Sequence, residues 1–296
     1  MTDVALPLAG GLTEPTDPDA LHAWVRTMFD LDLARTAREP GHQAPFEYLC
    51  HAFFEAGDGS PHDVPRDAVV WASRGSGKTL LGALATCLDL LVKPGIEIRI
   101  LGGSLDQSSR MFDHLRRFLD HPELASFVDG RVTRRGVRLR NGSCVEILSQ
   151  SQAAVRGQRV HKLRCDEVEL FDPDIWEAAQ LVTRSGVCGS HHVRGTIEVF
   201  STMHHPFGLM QRIVEDASGA RRRVFRWNVI DILERCPDER DCAACPLVGD
   251  CDGRAKRGRG HLTRDDAAQL QARVDGATWQ AEMLCRRPSR AHTVYP

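Results

Sequence analysis

The stretch from Ala72 to Thr79, which reads Ala-Ser-Arg-Gly-Ser-Gly-Lys-Thr, has the residue types and spacing of a phosphate-binding loop. Glycines let backbone N–H groups turn towards phosphate oxygens, and a helix that starts there adds the positive end of its dipole. Lys78 is expected to reach the β- and γ-phosphates of ATP, and the Thr79 hydroxyl to ligate Mg²⁺. Because Ala72 stands where the consensus begins with glycine, an ordinary glycine turn stays open as an alternative. The residues expected to surround the phosphates are Gly75, Ser76 and Gly77.

Two acidic residues, Asp166 and Glu167, end a second apolar run. Asp166 is expected to hold Mg²⁺, and Glu167 to polarise the water that attacks the γ-phosphate. A glutamate directly after the metal-binding aspartate indicates the ATPases with an additional catalytic strand, although a solvated strand end would look the same. A third apolar run ends in Ser201 and Thr202, whose hydroxyls are expected to contact the γ-phosphate unless they form a simple polar turn.

Four of the ten cysteines are closely spaced, whereas the other six are scattered singly as small core residues usually are. Four thiolates from one short loop can complete a tetrahedral metal site. The part Cys-x2-Cys-Pro-Leu-x3-Cys resembles the iron–sulfur loop of endonuclease-III-like DNA glycosylases, which favours a [4Fe–4S] cluster, with Zn²⁺ as the alternative. The basic run 254–264 that follows is either a DNA contact or a solvated charge run. The predicted metal ligands are Cys236, Cys242, Cys245 and Cys251.

Alternating strands and helices are expected to position these residues. An N-cap at Asp17 predicts a helix to about Ala37, and a second helix is predicted over 46–55. Strand, helix, strand and helix in succession predict a mainly parallel sheet flanked by helices, and Asn141-Gly142 predicts a hairpin. The predicted strands cover 68–72, 96–101, 137–139, 144–148, 160–166, 196–201 and 224–229. The later helices are predicted over 78–92, 104–120, 175–182, 207–217, 263–274 and 278–284.

The composition excludes several classes of protein. The chain has 296 residues, 42% of them hydrophobic and 26% charged, which is the balance of a folded globular protein rather than of a disordered one. No apolar run approaches the ~20 residues that span a bilayer, and the N-terminus has no basic segment of a secretory signal. We therefore expect no membrane partner. Net charge is −2, yet residues 131–164 carry many arginines and a single acid, which indicates a polyanion partner at one face.

In order and spacing, these motifs resemble those of phage terminase large subunits, the ATPase motors that package DNA into a prohead. The resemblance covers residues 40–230. It implies that Arg74 senses the γ-phosphate within the same subunit, and that Arg156 acts as an arginine finger on a neighbour. It also implies that Gln43 reads adenine and that Ser201 and Thr202 couple hydrolysis to DNA. The implied partners are double-stranded DNA, other subunits in a homo-oligomeric ring, a portal protein and a small terminase subunit, in the host cytoplasm if the chain is phage-encoded.

The fold class expected is therefore α/β, a P-loop ATPase of the catalytic-Glu type with a small cysteine-cluster and helical segment at its C-terminal end. Residues 1–62 are predicted as a helical lead-in, 63–230 as the ATPase core, and 231–296 as the cysteine loop and tail, ending before any nuclease domain. Since the loop is predicted to lie apart from the sheet, nucleotide binding is expected to survive loss of its metal. The alternative functions are a helicase-like DNA-dependent ATPase and a nucleotide-gated DNA-binding scaffold that does not hydrolyse ATP.

Overall fold

The computed structural model describes residues 13–54, 66–148, 151, 155–217, 219 and 222–288, and seven of its strands form one central sheet. The strands are β1 (Asp67–Ala72), β2 (Glu97–Gly102), β3 (Gly136–Arg138), β4 (Cys144–Leu148), β5 (Lys162–Asp166), β6 (Gly186–Cys188), β7 (His191–Val193), β8 (Thr196–Ser201) and β9 (Arg222–Trp227). The sheet has the order β3-β4-β2-β5-β8-β1-β9, and β6 and β7 form a separate hairpin.

Every neighbouring pair in the large sheet is parallel except β3 and β4, which form the hairpin expected at Asn141-Gly142. The prediction of a mainly parallel sheet is confirmed. Parallel strands bring their carboxyl ends to one edge of a sheet. Because β5, β8 and β1 are adjacent, the acidic pair, the hydroxyl pair and the phosphate-binding loop all lie along that edge.

Helices cover both faces of the sheet, which gives two hydrophobic clusters. Residues of β1 alternate between them: Ala68 and Val70 pack with α1 to α4, while Val69 and Trp71 pack with α6 and α7. This alternation is the period of two expected of a strand that is buried on both faces. The helices are α1 (Pro18–Phe29), α2 (Pro45–Phe53), α3 (Lys78–Val92), α4 (Leu105–Leu119), α5 (Pro122–Ala125), α6 (Pro173–Ala179), α7 (Leu209–Glu215), α8 (Val248–Cys251), α9 (Arg264–Arg273) and α10 (Gly276–Thr278).

The largest error in the predicted elements is the length of the first helix. The predicted N-cap at Asp17 and Pro18 at the first helical position are confirmed, but the helix ends at Phe29 rather than near Ala37. Asp30 has φ +53, a left-handed conformation that closes the helix. The hairpin of β6 and β7 was not predicted, and the helix expected over 278–284 is α10 followed by one π-helical turn over Trp279–Met283. No helix in the described part of the chain is long and apolar enough to cross a membrane.

A buried ionic network joins the helix that follows the phosphate-binding loop to two central strands. Arg164 on β5 donates to Glu198 on β8 (3.1 Å) and to Asp89 on α3 (2.6 Å), and all three side chains are almost fully buried. Lys93 and Lys162 also bond Asp89, and each donates to a carbonyl at the end of α2. Removing one member of such a network leaves an unpaired buried charge, so the network fixes α3 against the sheet.

A third hydrophobic cluster lies in the C-terminal segment, and its members include Leu233, Cys236, Leu247 and Cys251. Asp231 anchors this segment to the N-terminal part of the chain. Its carboxylate accepts hydrogen bonds from the backbone N–H groups of Arg38 (2.6 Å) and Glu39 (2.9 Å). The cysteine loop is thus tied to the sheet at its first residue.

Candidate active site

The phosphate-binding loop connects the end of β1 at Ala72 to the start of α3 at Lys78. Gly75 has φ +72 and Gly77 φ +80, a left-handed backbone that a side chain would strain. Ser76 is buried and its hydroxyl donates to the carbonyl of Ser73 at 2.7 Å, which holds the turn closed. The predicted glycine loop before a helix is therefore present, with Lys78 at the helix N-terminus.

Side chains of the loop contact the acidic pair across the edge of the sheet. The Thr79 hydroxyl donates to Asp166 Oδ1 at 3.3 Å, and Lys78 Nζ lies 3.3 Å from Glu167 Oε1. Two oxygens bound side by side to octahedral Mg²⁺ lie roughly 3 Å apart. The Thr79 hydroxyl and the Asp166 carboxylate therefore fit a Mg²⁺ site in spacing and in ligand chemistry.

The carboxyl group of Asp166 is not fully compensated by its neighbours. Burial, with the adjacent charge of Glu167, raises the pKa of Asp166 to about 7, while Lys78 and the Thr79 hydroxyl act in the opposite direction. A carboxylate in this position favours a divalent cation, because the cation stabilises the ionised form that burial disfavours.

Glu167 lies in a left-handed backbone conformation, with φ +54, directly after the end of β5. A non-glycine residue in this region is uncommon, and such outliers cluster at functional sites. The turn is fixed by the Glu167 N–H, which donates to the carbonyl of Phe200 on β8 at 2.7 Å. Its carboxylate is thereby directed to Lys78, so the two residues with the largest predicted roles form an ion pair.

The hydroxyl pair at the end of β8 joins the same arrangement through a residue that sequence reasoning missed. Glu169 donates its backbone N–H to Ser201 Oγ at 3.3 Å. Its buried carboxylate accepts from the backbone N–H groups of His205 (3.1 Å) and Met210 (2.7 Å). Thr202 Oγ1 lies 3.2 Å from His204 Nδ1. Glu169 therefore holds the loop after β8 to the turn that carries Glu167, a role that its position two residues after Glu167 did not indicate.

Arg74 lies at the site, but its partner is a residue of the C-terminal segment. Its side chain is 77% exposed and lies 3.1 Å from Glu282 Oε2, and its backbone N–H donates to the Glu282 carbonyl at 3.0 Å. The guanidinium can turn towards a bound phosphate only by leaving this carboxylate. No sequence pattern indicated Glu282.

Two other predicted residues are not joined to this cluster. Gln43 accepts a hydrogen bond at Oε1 from the Arg226 N–H (3.1 Å) and donates from Nε2 to the Gly41 carbonyl (3.4 Å), so its amide binds backbone in this structure. Arg156 is exposed, and among the described residues no hydrogen bond or ion pair links it to Lys78. Ala153 and Ala154, which precede it in the predicted finger segment, lie outside the described residues.

A groove of about 550 Å³ runs beside the phosphate-binding loop. Ser76, Gly77 and Leu80 line one side, and the segment Gly258–His261 lines another. Its volume is within the range of small-molecule sites. His261 Nε2 lies 3.3 Å from the carbonyl oxygen of Gly75, so the C-terminal segment contacts the loop itself.

The four clustered cysteines all line one small cavity of about 20 Å³ and are all free. Within the described ranges, no group of three or more His, Cys, Asp or Glu side chains is arranged to hold a metal ion. The predicted metal site is thus supported only by the convergence of the cysteines on this cavity, and it stays a prediction. These residues are Cys236, Cys242, Cys245 and Cys251.

No protein-family model and no curated protein matches the chain, but solved structures do. The chain is similar to the large terminase of bacteriophage HK97 (18% identity, TM-score 0.56, covering 86% of this chain and 53% of that one). It is similar to the large terminase of a thermophilic bacteriophage in complex with ADP (13%, 0.53, 80% and 51%). It is also similar to the large terminase ATPase domain of Thermus phage P74-26 (12%, 0.51, 85% and 99%).

The chain spans about half the length of the HK97 terminase and of the ADP-bound terminase, but it covers almost all of the P74-26 ATPase domain. At these identities the likeness concerns the fold. The fold of this chain is that of the ATPase domain of phage large terminases.

Proposed function

We propose that this chain is the ATP-hydrolysing motor portion of a large terminase and moves double-stranded DNA. The observation that carries the proposal is the contact of Lys78 with Glu167 and of Thr79 with Asp166 at one edge of the sheet. These four residues have the types that ATP hydrolysis requires, on the elements where P-loop ATPases carry them. The thermophilic bacteriophage terminase that was solved with ADP shares the fold.

In the proposed reaction, nucleotide binding exchanges the partner of Lys78. The ammonium leaves Glu167 and binds the β- and γ-phosphates, where its charge offsets theirs. Glu167 is then free to polarise the attacking water. Thr79 and Asp166 would hold Mg²⁺, which neutralises phosphate charge when it is bound. Arg74, once released from Glu282, is placed to contact the γ-phosphate.

We propose that the loop after β8 transmits hydrolysis to DNA. Ser201 and Glu169 are joined, and the Glu169 carboxylate holds the backbone at His205 and Met210. A displacement of Glu167 when the γ-phosphate leaves would therefore move this loop. The proposed DNA contacts are two basic surfaces, the run 254–264 and the hairpin edge with exposed arginines at Arg131, Arg134, Arg135, Arg138 and Arg140.

The remaining partners are proposals by likeness to terminases. Arg156 would complete the site of a neighbouring subunit in a ring, and its exposure agrees with a role between subunits. A portal protein and a small terminase subunit would bind the ring, and the chain would act in the host cytoplasm.

We also propose that Cys236, Cys242, Cys245 and Cys251 bind Zn²⁺ or a [4Fe–4S] cluster. All four line the same cavity and none forms a disulfide. Arg240, Lys256 and Arg264 line it too, and these cations would offset the negative charge of four thiolates on one metal centre.

An ATPase assay with and without double-stranded DNA tests the motor. The parent should hydrolyse ATP faster with DNA, and this stimulation should fade as salt rises, because phosphate contacts are salt-dependent. Lys78→Ala should abolish turnover, whereas Arg117→Ala, an exposed position on α4, should leave it unchanged. Binding without turnover would support the scaffold, and strand separation would support the helicase.

A further inference from the structure

Resting on the proposed nucleotide and metal sites, we infer that metal binding by the four cysteines shapes one wall of the nucleotide groove. Nucleotide affinity then depends on metal loading. The sequence alone predicts the opposite, because it places the cysteine loop apart from the sheet. The contacts of the segment Gly258–His261 carry the inference.

This segment lies between the cysteines and the phosphate-binding loop. It lines the groove opposite Ser76 and Gly77, and His261 Nε2 lies 3.3 Å from the Gly75 carbonyl oxygen. Gly75 is one of the residues whose backbone must take a left-handed conformation to surround phosphate. A shift of His261 would therefore be felt directly by the loop.

Backbone pairing holds the wall to the chain that leads into the first cysteine. Gly260 donates to the Leu233 carbonyl (2.9 Å), and Leu262 donates to the Ile232 carbonyl (3.0 Å). The approach is so close that a Cβ atom on Gly260 would lie 1.8 Å from the Ile232 oxygen. The wall and residues 232–236 therefore move together.

The same paired segment contains the contacts of two cysteines. Cys236 donates its N–H to the Ala255 carbonyl at 2.9 Å, and Ala255 donates its N–H to Cys251 Sγ at 3.4 Å. Ala255 precedes the wall by three residues. Constraining Cys236 and Cys251 on one metal thus fixes both ends of the pairing that supports Gly258–His261.

The loop between these cysteines has little else to order it. Its only α-helix in the described part of the chain is the four-residue α8. Small metal-binding loops of this kind draw their folding free energy from the metal. Without metal we therefore expect the loop to fluctuate, and the wall with it.

The size of the cavity favours a single ion. About 20 Å³ is room for roughly one water-sized sphere, and one Zn²⁺ with Zn–S bonds of about 2.3 Å fits that space when the sulfurs close in. A four-iron cube would need the cavity to open. Zn²⁺ is therefore the metal used in the test, and iron content measured after anaerobic purification distinguishes the alternative.

The test measures bound metal and the dissociation constant of ATP-gamma-S on the same samples. The parent should carry one metal centre per chain, and Cys242→Ser should lose it. Losing one hydrogen-bonded wall contact, about 1 kcal/mol, corresponds to about fivefold weaker nucleotide binding. Cys50→Ser, at a free cysteine on α2, should change neither quantity. Chelation of the parent should weaken binding as the variant does, and added Zn²⁺ should restore it.

His261→Ala separates the wall from the metal, since it should retain metal but lose part of the nucleotide affinity. Circular dichroism checks that each variant keeps its folded core. An unchanged ATP-gamma-S affinity in metal-free protein would refute the coupling, and a metal-free parent after Zn²⁺ reconstitution would refute the metal site. A parent that binds metal but no nucleotide would instead refute the proposed function.

Discussion

Replacing Glu167 by glutamine should strengthen ATP binding while stopping hydrolysis. In the nucleotide-free protein Lys78 Nζ lies 3.3 Å from Glu167 Oε1, and both side chains are largely buried, with 7% and 26% exposure. ATP must take Lys78 from this carboxylate. Glutamine has nearly the same shape but no charge, so it removes the competitor of the phosphates.

The size of the effect follows from the distance. At 3.3 Å and an effective dielectric constant of about 20, the Coulomb energy of the pair is about 5 kcal/mol. Solvation that the two charges regain when they separate cancels most of this, since measured exposed pairs contribute about 0.2–1 kcal/mol and buried ones lose solvation. We take a net effect of about 1–2 kcal/mol, which corresponds to roughly 5- to 30-fold tighter binding.

The assay is fluorescence or calorimetric titration of ATP with Mg²⁺ into Glu167→Gln, the parent and a control. Glu146→Gln is the matched control, because Glu146 is an exposed glutamate on β4 whose partner is Arg99. The gain should shrink as salt rises, because screening weakens the pair in the parent. Equal or weaker ATP affinity in Glu167→Gln at low salt would refute the exchange of partners.

Three further outcomes are expected. Because burial and Glu167 raise the pKa of Asp166 to about 7, its carboxylate form is lost as pH falls through 7, and apparent Mg²⁺ affinity in titrations with nucleotide should drop about tenfold from pH 8 to pH 6; a flat profile would contradict the raised pKa. Arg156→Ala should lose turnover only in assemblies, and mixing it with Glu167→Gln subunits should restore some ATPase activity; absence of rescue at every ratio would argue against a role between subunits. Arg164→Met should lower the free energy of unfolding in urea by about 3–5 kcal/mol, since Asp89 and Glu198 lose their shared buried cation, and the exposed Arg159→Met should lower it by less than about 0.5 kcal/mol.

The sequence predicts those parts of the site that rest on local rules. Glycines before an amphipathic helix and acids after an apolar strand depend on short-range backbone chemistry, and α3 begins and ends as predicted at Lys78 and Val92. Parallel pairing then brings the strand ends together without further information. The early end of α1 could not be read in this way, because Asp30 takes a left-handed conformation that few aspartates adopt.

Contacts between distant parts of the chain could not be predicted from local patterns. Glu282 meets Arg74 across 208 residues, and His261 meets Gly75 across 186. Neither residue belongs to a periodic pattern or a spaced motif, since its position is set by how the C-terminal segment packs on the sheet. The same holds for Asp89, whose position on an otherwise apolar helix is explained only by Arg164, Lys93 and Lys162 around it.

The left-handed backbone at Glu167 sets stability against activity in any laboratory evolution of this chain. A non-glycine residue at φ +54 costs roughly 1 kcal/mol, and the buried Asp166 beside it is held in a place where its ionised form is disfavoured. Glycine at position 167 and asparagine at position 166 would relieve both penalties while destroying the chemistry. A library selected for heat tolerance alone should therefore enrich the inactive residues at these two positions, and sequencing the survivors would reveal where the chain has accepted instability for turnover.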